Sequence, residues 1–176
     1  MKLEFVRAPR IETARLILRA HGAADLDAVA AMWSDAALVR HITGKPSTRE
    51  ESWARILRYA GLWPTKGYGY WAVEDKATGR FAGDIGLADF ARDIAPAMDM
   101  APEAGWVLAP WAHGKGYATE AVLATLAWAD ANLTGLRAHC MLDVENVASV
   151  RVAQKCGFKE FARATYKGQP ALIYRR

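Results

Sequence analysis

Cysteine is scarce in this 176-residue chain: there are two, Cys140 and Cys156, with no CxxC spacing between them. A disulfide framework or thiolate cluster is excluded as the basis of the fold, and both thiols are expected reduced in the core. Histidine is nearly as sparse. His21, His41, His113 and His139 are scattered, so no zinc site is expected and no metal is assigned. No apolar run approaches the ~18 residues that span a bilayer. The opening MKLEFVRAPR lacks the apolar stretch of a secretion signal, so the expected location is the cytoplasm, with no membrane partner. Long blocks of one charge are missing too. Lys and Arg outnumber Asp and Glu by 23 to 19, a formal net charge of +4, but the basic residues are dispersed. That balance suits an anionic ligand and does not build the clustered basic, aromatic surface that nucleic acid needs. Internal repeats, low-complexity segments and long linkers are absent.

What is present is an ordinary globular mix, 52% hydrophobic and 24% charged. It suits one domain over residues 1–176, long enough to bury a core without staples. RLILRA (15–20) reads as a first strand with Leu16 and Leu18 on one face, and Leu26, Val29, Ala30 and Trp33 make a helix stripe. Ser47-Glu50 and Thr48-Glu51 each make a capping box for a second helix. Its expected buried face is Trp53, Ile56, Leu57 and Ala60, and Pro64 and Gly67 are expected to end it. YWAVED (70–75) and RFAGDIGLADF (80–90) form a hairpin, RDIAPAMDMAPE (92–103) is expected to be flexible, and AGWVLAP is a short strand stopped by Pro110. A helix bearing Ala118, Ala121, Val122, Thr125 and Ala129 follows, then a strand in LRAHCMLDV (136–144). Asn146 caps a helix closed by Gly157, and a last hairpin ends in ALIYRR. The order β-α-α-β-β-β-α-β-α-β-β predicts an α/β fold of mixed strand direction, covered on both faces.

WAHGKGYATE (111–120) sets Gly114 and Gly116 either side of Lys115 and then begins a run of helix formers. Glycines this close let successive N–H groups converge, and a helix start adds about half a positive charge. Lys115 and the Thr119 hydroxyl can add to such a cradle. The loop is not GxxxxGK[ST], and its GxGxA comes after several strands, so neither nucleotide-binding loop fits. Alone, it reads equally as an anion cradle or as a tight strand-to-helix turn.

EAGWVLAPWAHGKGYATEA (103–121) followed by NVASVRVAQKCGFK (146–159) resembles the GNAT superfamily of acyl-CoA N-acyltransferases. Within it, the chain is most similar to the RimJ/RimL branch of ribosomal-protein N-terminal acetyltransferases, and TARLILR and GFKEFA extend the likeness over nearly the whole sequence. The resemblance implies a mostly antiparallel, twisted α/β sheet with a splayed central strand pair and helices on both faces. It also implies acetyl-CoA as co-substrate. The pyrophosphate would sit on the amides of Gly114, Lys115, Gly116, Tyr117 and Ala118, with Thr119 beside them. The pantetheine would run along Trp106, Val107 and Leu108, and Asn146 would hydrogen-bond it. His113 stands where the family usually has Gln or Arg; binding through backbone amides should survive that.

The implied reaction is attack of a primary amine on the thioester, and a carboxylate can take the amine proton. Glu103 matches the branch's Glu in ExGWxLxP and is on that match the expected base, although the pattern alone favours a strand-edge glutamate facing solvent. Val107 or Leu108 N–H is the expected oxyanion donor. Ala153 stands where many members place a tyrosine acid, and the branch offers Ser149 instead, which is also a routine helix-start residue. Trp33, Trp63 and Trp71, with His41, are the expected lining of the acceptor pocket, while Trp53 and Trp128 are expected to be packing. The expected acceptor is a protein N-terminus or a small-molecule amine, and a homodimer is left open as a further partner. The competing reading is a non-catalytic acyl-CoA-binding module.

Overall fold

A computed structural model describes residues 7–97, 101–135 and 137–176. The alternating leucines place their strand as read: β2 (Leu16–Arg19) buries Leu16 and Leu18 and pairs with a two-residue strand, β1 (Ile11–Glu12), that the sequence did not announce. Two helices follow, α1 (Leu26–Trp33) and the short α2 (Ala36–Val39), the latter unpredicted and capped by Asp35. α3 (Arg49–Lys66) opens on the second of the two possible capping boxes. Thr48 Oγ1 accepts from the Glu51 N–H at 3.1 Å, and the Glu51 carboxylate accepts from the Thr48 N–H at 2.7 Å.

Two expectations for α3 fail. Its buried face is Ser52, Ile56, Tyr59 and Trp63, while Trp53 and Leu57 are exposed. Ser52 can be buried because its hydroxyl donates to the Thr48 carbonyl at 2.9 Å, which leaves no orphaned polar group. Nor does Pro64 stop the helix. It forfeits one backbone bond, and the last turn is held by Trp63, whose indole N–H donates to Tyr70 O and whose carbonyl accepts from Gly67 N–H.

β3 (Tyr70–Asp75) and β4 (Phe81–Ala88) form the expected hairpin, β5 (Glu103–Leu108) precedes α4 (Tyr117–Asn132), and β6 (His139–Asp143) leads to α5 (Val147–Lys155). β7 (Lys159–Tyr166) and β8 (Gln169–Arg175) close the chain. Part of the segment expected to be flexible, residues 98–100, lies outside the described residues. The strands make one sheet in the order β1-β2-β3-β4-β5-β6-β8-β7, antiparallel at every step except β5 to β6. One face packs α4 and α5 over Leu16, Leu18, Ile85, Leu87, Ala104 and Cys140; the other packs α1 and α3 over Ala72, Phe81 and Val107. No described helix is long and apolar enough to cross a membrane.

Candidate active site

β5 ends at Leu108, and the chain passes through a 3₁₀ turn (Pro110–Ala112) into the glycine loop and α4. Gly114 and Gly116 both take left-handed conformations, φ 72° and 78°. Nothing lies within 4 Å of where a Gly114 Cβ would be, and only Arg15 Nη2, at 3.4 Å, faces that of Gly116. Backbone conformation, not crowding, is therefore what demands glycine here. Gly116 is the N-cap of α4 and offers no side chain, so the first-turn N–H groups of Tyr117, Ala118 and Thr119 have no capping acceptor.

Cations gather at this helix start. Lys115 Nζ stands 4.9 Å from the Trp111 ring centre and the Arg80 guanidinium 4.4 Å from it. Arg15 donates to the Lys115 carbonyl at 2.8 Å and to Glu120 at 2.7 Å. Burial works against the Glu120 charge, but bonds from Thr13 and Arg15 hold its carboxyl below the usual range. His113 turns away from the loop, its Nε2 2.7 Å from Leu108 O. Tyr117 contributes only its main chain, because its buried ring runs inward and its hydroxyl donates to Asp75.

The other half of the site is a gap in the sheet. Glu103 and His139 form a parallel pair, and beyond it β5 and β6 have no further register partners. The Ala109 N–H bonds to Ala82 O, so by strand alternation Val107 and Gly105 also spend their backbone groups on β4. The Trp106 N–H and C=O and the Leu108 N–H point the opposite way, into the gap. Leu108, not Val107, thus has the N–H suited to an oxyanion or amide ligand. Across the mouth, Asn146 Oδ1 caps α5 by accepting from Ser149 N–H at 3.1 Å. The Ser149 hydroxyl is half-buried and makes no hydrogen bond among the described residues.

On the α1/α3 face, side chains from the same strands build a polar cluster. Both Glu103 oxygens are held by Arg92, at 2.6 Å to Nε and 2.8 Å to Nη2, and Glu103 is only 6% exposed. Burial opposes the Arg92 charge, and Glu103 keeps it on. Tyr70 stacks on Tyr59 at 4.2 Å with the rings 2° from parallel, and its hydroxyl rests over Gly105, where any Cβ would collide with it. Burial pushes both phenols up. Asp84, fully buried, faces His21 Nε2 at 2.8 Å and accepts from Trp33 Nε1 at 2.8 Å. The Arg55 guanidinium covers the Trp33 ring at 3.6 Å.

Of the expected pocket residues, only Trp33 joins this cluster. Trp63 and Trp71, 1% and 0% exposed, pack edge-on with Trp128 in the core and line no cleft. His41 sits at the end of α2 with Nδ1 3.1 Å from Asp143 Oδ2, and Glu145 lies within reach of both. Arg15, Tyr70, Arg92 and His139 were not expected at the site. Gly105 in mid-strand is the one sequence signal that could have pointed to Tyr70. A cavity of about 490 Å³, lined by Pro102, Leu126, Ala129, Leu133, Ala138 and Arg176, opens at the far end of α4. It is about 20 Å along the helix from the glycine loop and has no part in this arrangement.

The chain resembles known proteins in sequence and in fold. A family model described as "Acetyltransferase (GNAT) domain" matches residues 15–159. An uncharacterized N-acetyltransferase, YoaA of Bacillus subtilis, is 27% identical over 153 residues, covering 86% of this chain and 84% of that one. The uncharacterized YkkB of the same organism is 33% identical over 113 residues, and the match spans 63% of each chain. Among solved structures, a GnaT-family acetyltransferase from Bordetella pertussis superposes with a TM-score of 0.84 at 27% identity, over 96% of this chain and 99% of that one. RimL, a ribosomal L7/L12 alpha-N-protein acetyltransferase solved with coenzyme A, superposes with a TM-score of 0.76 over 96% of this chain and 97% of that one. At 19% identity that likeness is one of fold.

Proposed function

We propose, for a chain that belongs to the GNAT acetyltransferase family, that it moves the acetyl group of acetyl-CoA to a primary α-amine, at a protein N-terminus or on a small molecule, in the manner of the RimJ/RimL branch. One observation carries this reading: two left-handed glycines leave the start of α4 uncapped at the foot of a gap whose β5 edge has unpaired amides. The first-turn N–H groups, with Lys115 and Arg15 beside them, suit a diphosphate. The Trp106 and Leu108 edge suits the amides of a pantetheine arm. Asn146 and Ser149 stand at the β6 side of the mouth, and Ser149 is assigned the proton for the departing thiolate. Asn146 keeps the pantetheine contact through the end of its amide that the cap leaves unused.

The acceptor is an amine that reaches the thioester neutral. An α-amine of pKa near 8 gives up its proton at pH 7 at roughly 1.4 kcal/mol, whereas a lysine near 10.4 needs roughly 4.6 kcal/mol. Arg55, Arg58 and Arg92 stack on aromatic rings over this face. Their charge disfavours an ammonium and favours the more easily neutralised amine. Calorimetry with acetyl-CoA, then thiol release on a panel of N-terminal peptides and amino acids, tests the reading. Micromolar association and turnover of α-amines ahead of lysine side chains are expected; binding without turnover of any amine would make the chain a carrier of acyl-CoA.

A further inference from the structure

Three of the four histidines have partners: His21 on Asp84, His41 on Asp143 and His113 on the Leu108 carbonyl. His139 has none. It is 3% exposed, and neither ring nitrogen meets a hydrogen-bond partner among the described residues. Leaving one such buried group unsatisfied costs about 1–3 kcal/mol, and a native protein that carries that cost needs a reason. No ion pair or ring contact of His139 among the described residues supplies one.

Its position does. The pair Glu103–His139 is the vertex at which β5 and β6 part, and the main chain pins it there, with His139 N–H donating to Pro102 O at 3.1 Å. A pantetheine arm lying in the gap brings its acyl head to this vertex. Ala138 and Cys140 bury their side chains under α4 and α5, so His139 emerges on the α1/α3 face with Glu103, about 4.8 Å away across the strands. Glu103 is poorly placed to take a proton, because Arg92 occupies both of its oxygens. The imidazole beside it is buried, and both of its nitrogens lack a hydrogen-bond partner among the described residues.

Resting on the acetyl-transfer reading, the geometry points to His139 as the group that takes the proton from the attacking amine, with the Arg92–Glu103 pair as its positioning neighbours. The amine lone pair forms the C–N bond to the acetyl carbon, and the C–S bond breaks with its electrons on sulfur. The nitrogen proton passes to the unpartnered imidazole; the Ser149 hydroxyl gives its own proton to the thiolate and recovers one from the imidazolium through water. Amide and thiol leave, and His139 is neutral again. An amine nitrogen already bonded to the acyl carbon is far more acidic than a free ammonium, so a weak base suffices. The charged groups facing His139 agree with that role: burial first, then Arg175 and Arg92, lower its pKa to about 4, with Asp89 opposing them and itself tied to Lys66. The ring is therefore an unprotonated acceptor throughout the neutral range.

The test uses His139→Ala and His139→Gln with the best α-amine from the panel. Both should bind acetyl-CoA within about threefold of wild type, yet lose about 100-fold or more in kcat. Added imidazole should restore part of the alanine variant's rate, and the glutamine variant's kcat should climb more steeply with pH than that of wild type. A kcat within threefold of wild type in either folded variant overturns the proposal, as does a large loss that imidazole does not rescue and pH does not alter. A wild-type protein that binds no acetyl-CoA overturns the acetyl-transfer reading itself, which is a distinct result.

Discussion

Gly105→Ala should destabilise the protein through a single contact, and that contact can be removed independently. The new methyl would overlap the Tyr70 hydroxyl and stand 3.2 Å from Tyr70 Cζ. The ring cannot swing aside, because Tyr59 stacks on it at 4.2 Å and Phe90 lies 6.4 Å off. Overpacking of this kind costs about 1–3 kcal/mol. At 176 residues, 2 kcal/mol corresponds to a fall in Tm of about 4–8 °C. Tyr70→Phe removes the oxygen and leaves a contact that needs only a few tenths of an ångström of relief. The hydroxyl makes no hydrogen bond among the described residues, so its loss alone should change little. Urea denaturation of both single variants and the double variant then measures the coupling. The double variant should recover about 1–2 kcal/mol of the alanine penalty. Additivity within about 0.5 kcal/mol would refute the claim that Gly105 exists to admit the Tyr70 hydroxyl.

Two further outcomes follow from the same structure. Gly116→Ala forces a side chain into φ 78° and should cost about 1–2 kcal/mol in urea denaturation. It should also shrink the rise in Tm that acetyl-CoA confers, whereas an unchanged rise would deny the loop its ligand. His139 titrates near 6.5 when unfolded and near 4 when folded, a gap worth about 3 kcal/mol. The unfolded chain takes up this proton first, so stability should fall progressively from about pH 6.5 to pH 4. His139→Leu should flatten that window, and equal slopes for the two proteins would contradict it. The lowered carboxyls of Asp75 and Asp89 act in a separate window, their contribution being lost as pH falls below the usual carboxylate range.

The features legible in the sequence are those whose cause is local. Two glycines beside a helix start, a capping box and alternating leucines fix dihedrals or faces within a few residues, and the structure has all three. The phase of α3 was misread because hydrophobicity ranks Trp53 and Leu57 above Ser52 and Tyr59. Burial follows the partners on offer: Tyr70 of the neighbouring strand for Tyr59 to stack on, and the Thr48 carbonyl of the helix's own first turn for the Ser52 hydroxyl. The tryptophans show the same limit. Trp71 looked like a pocket wall beside glycines, but its partners are Trp63, earlier on α3, and Trp128, far along on α4. The clamp on Glu103 comes from Arg92, in a segment with no periodicity to read, and the partner of Arg15 is Glu120, 105 residues away. Such pairings follow from the sheet order.

β5 makes the division of labour physical. Its backbone groups alternate between β4 and the gap, within the plane of the sheet, while its side chains alternate between the two faces, perpendicular to that plane. Whatever lies in the gap meets Trp106 and Leu108 as main chain, and almost any residue supplies the same amide. Whatever lies on the α1/α3 face meets Glu103, Gly105 and Val107 as side chains, along with the residues that surround them. One ligand is thus read by chemistry that substitution barely alters, and the other by chemistry that substitution changes freely. A fold with this property can keep one donor while its acceptor drifts. The acceptor of this chain is accordingly to be sought in Tyr70, Arg92, Glu103 and His139, not in the glycine loop.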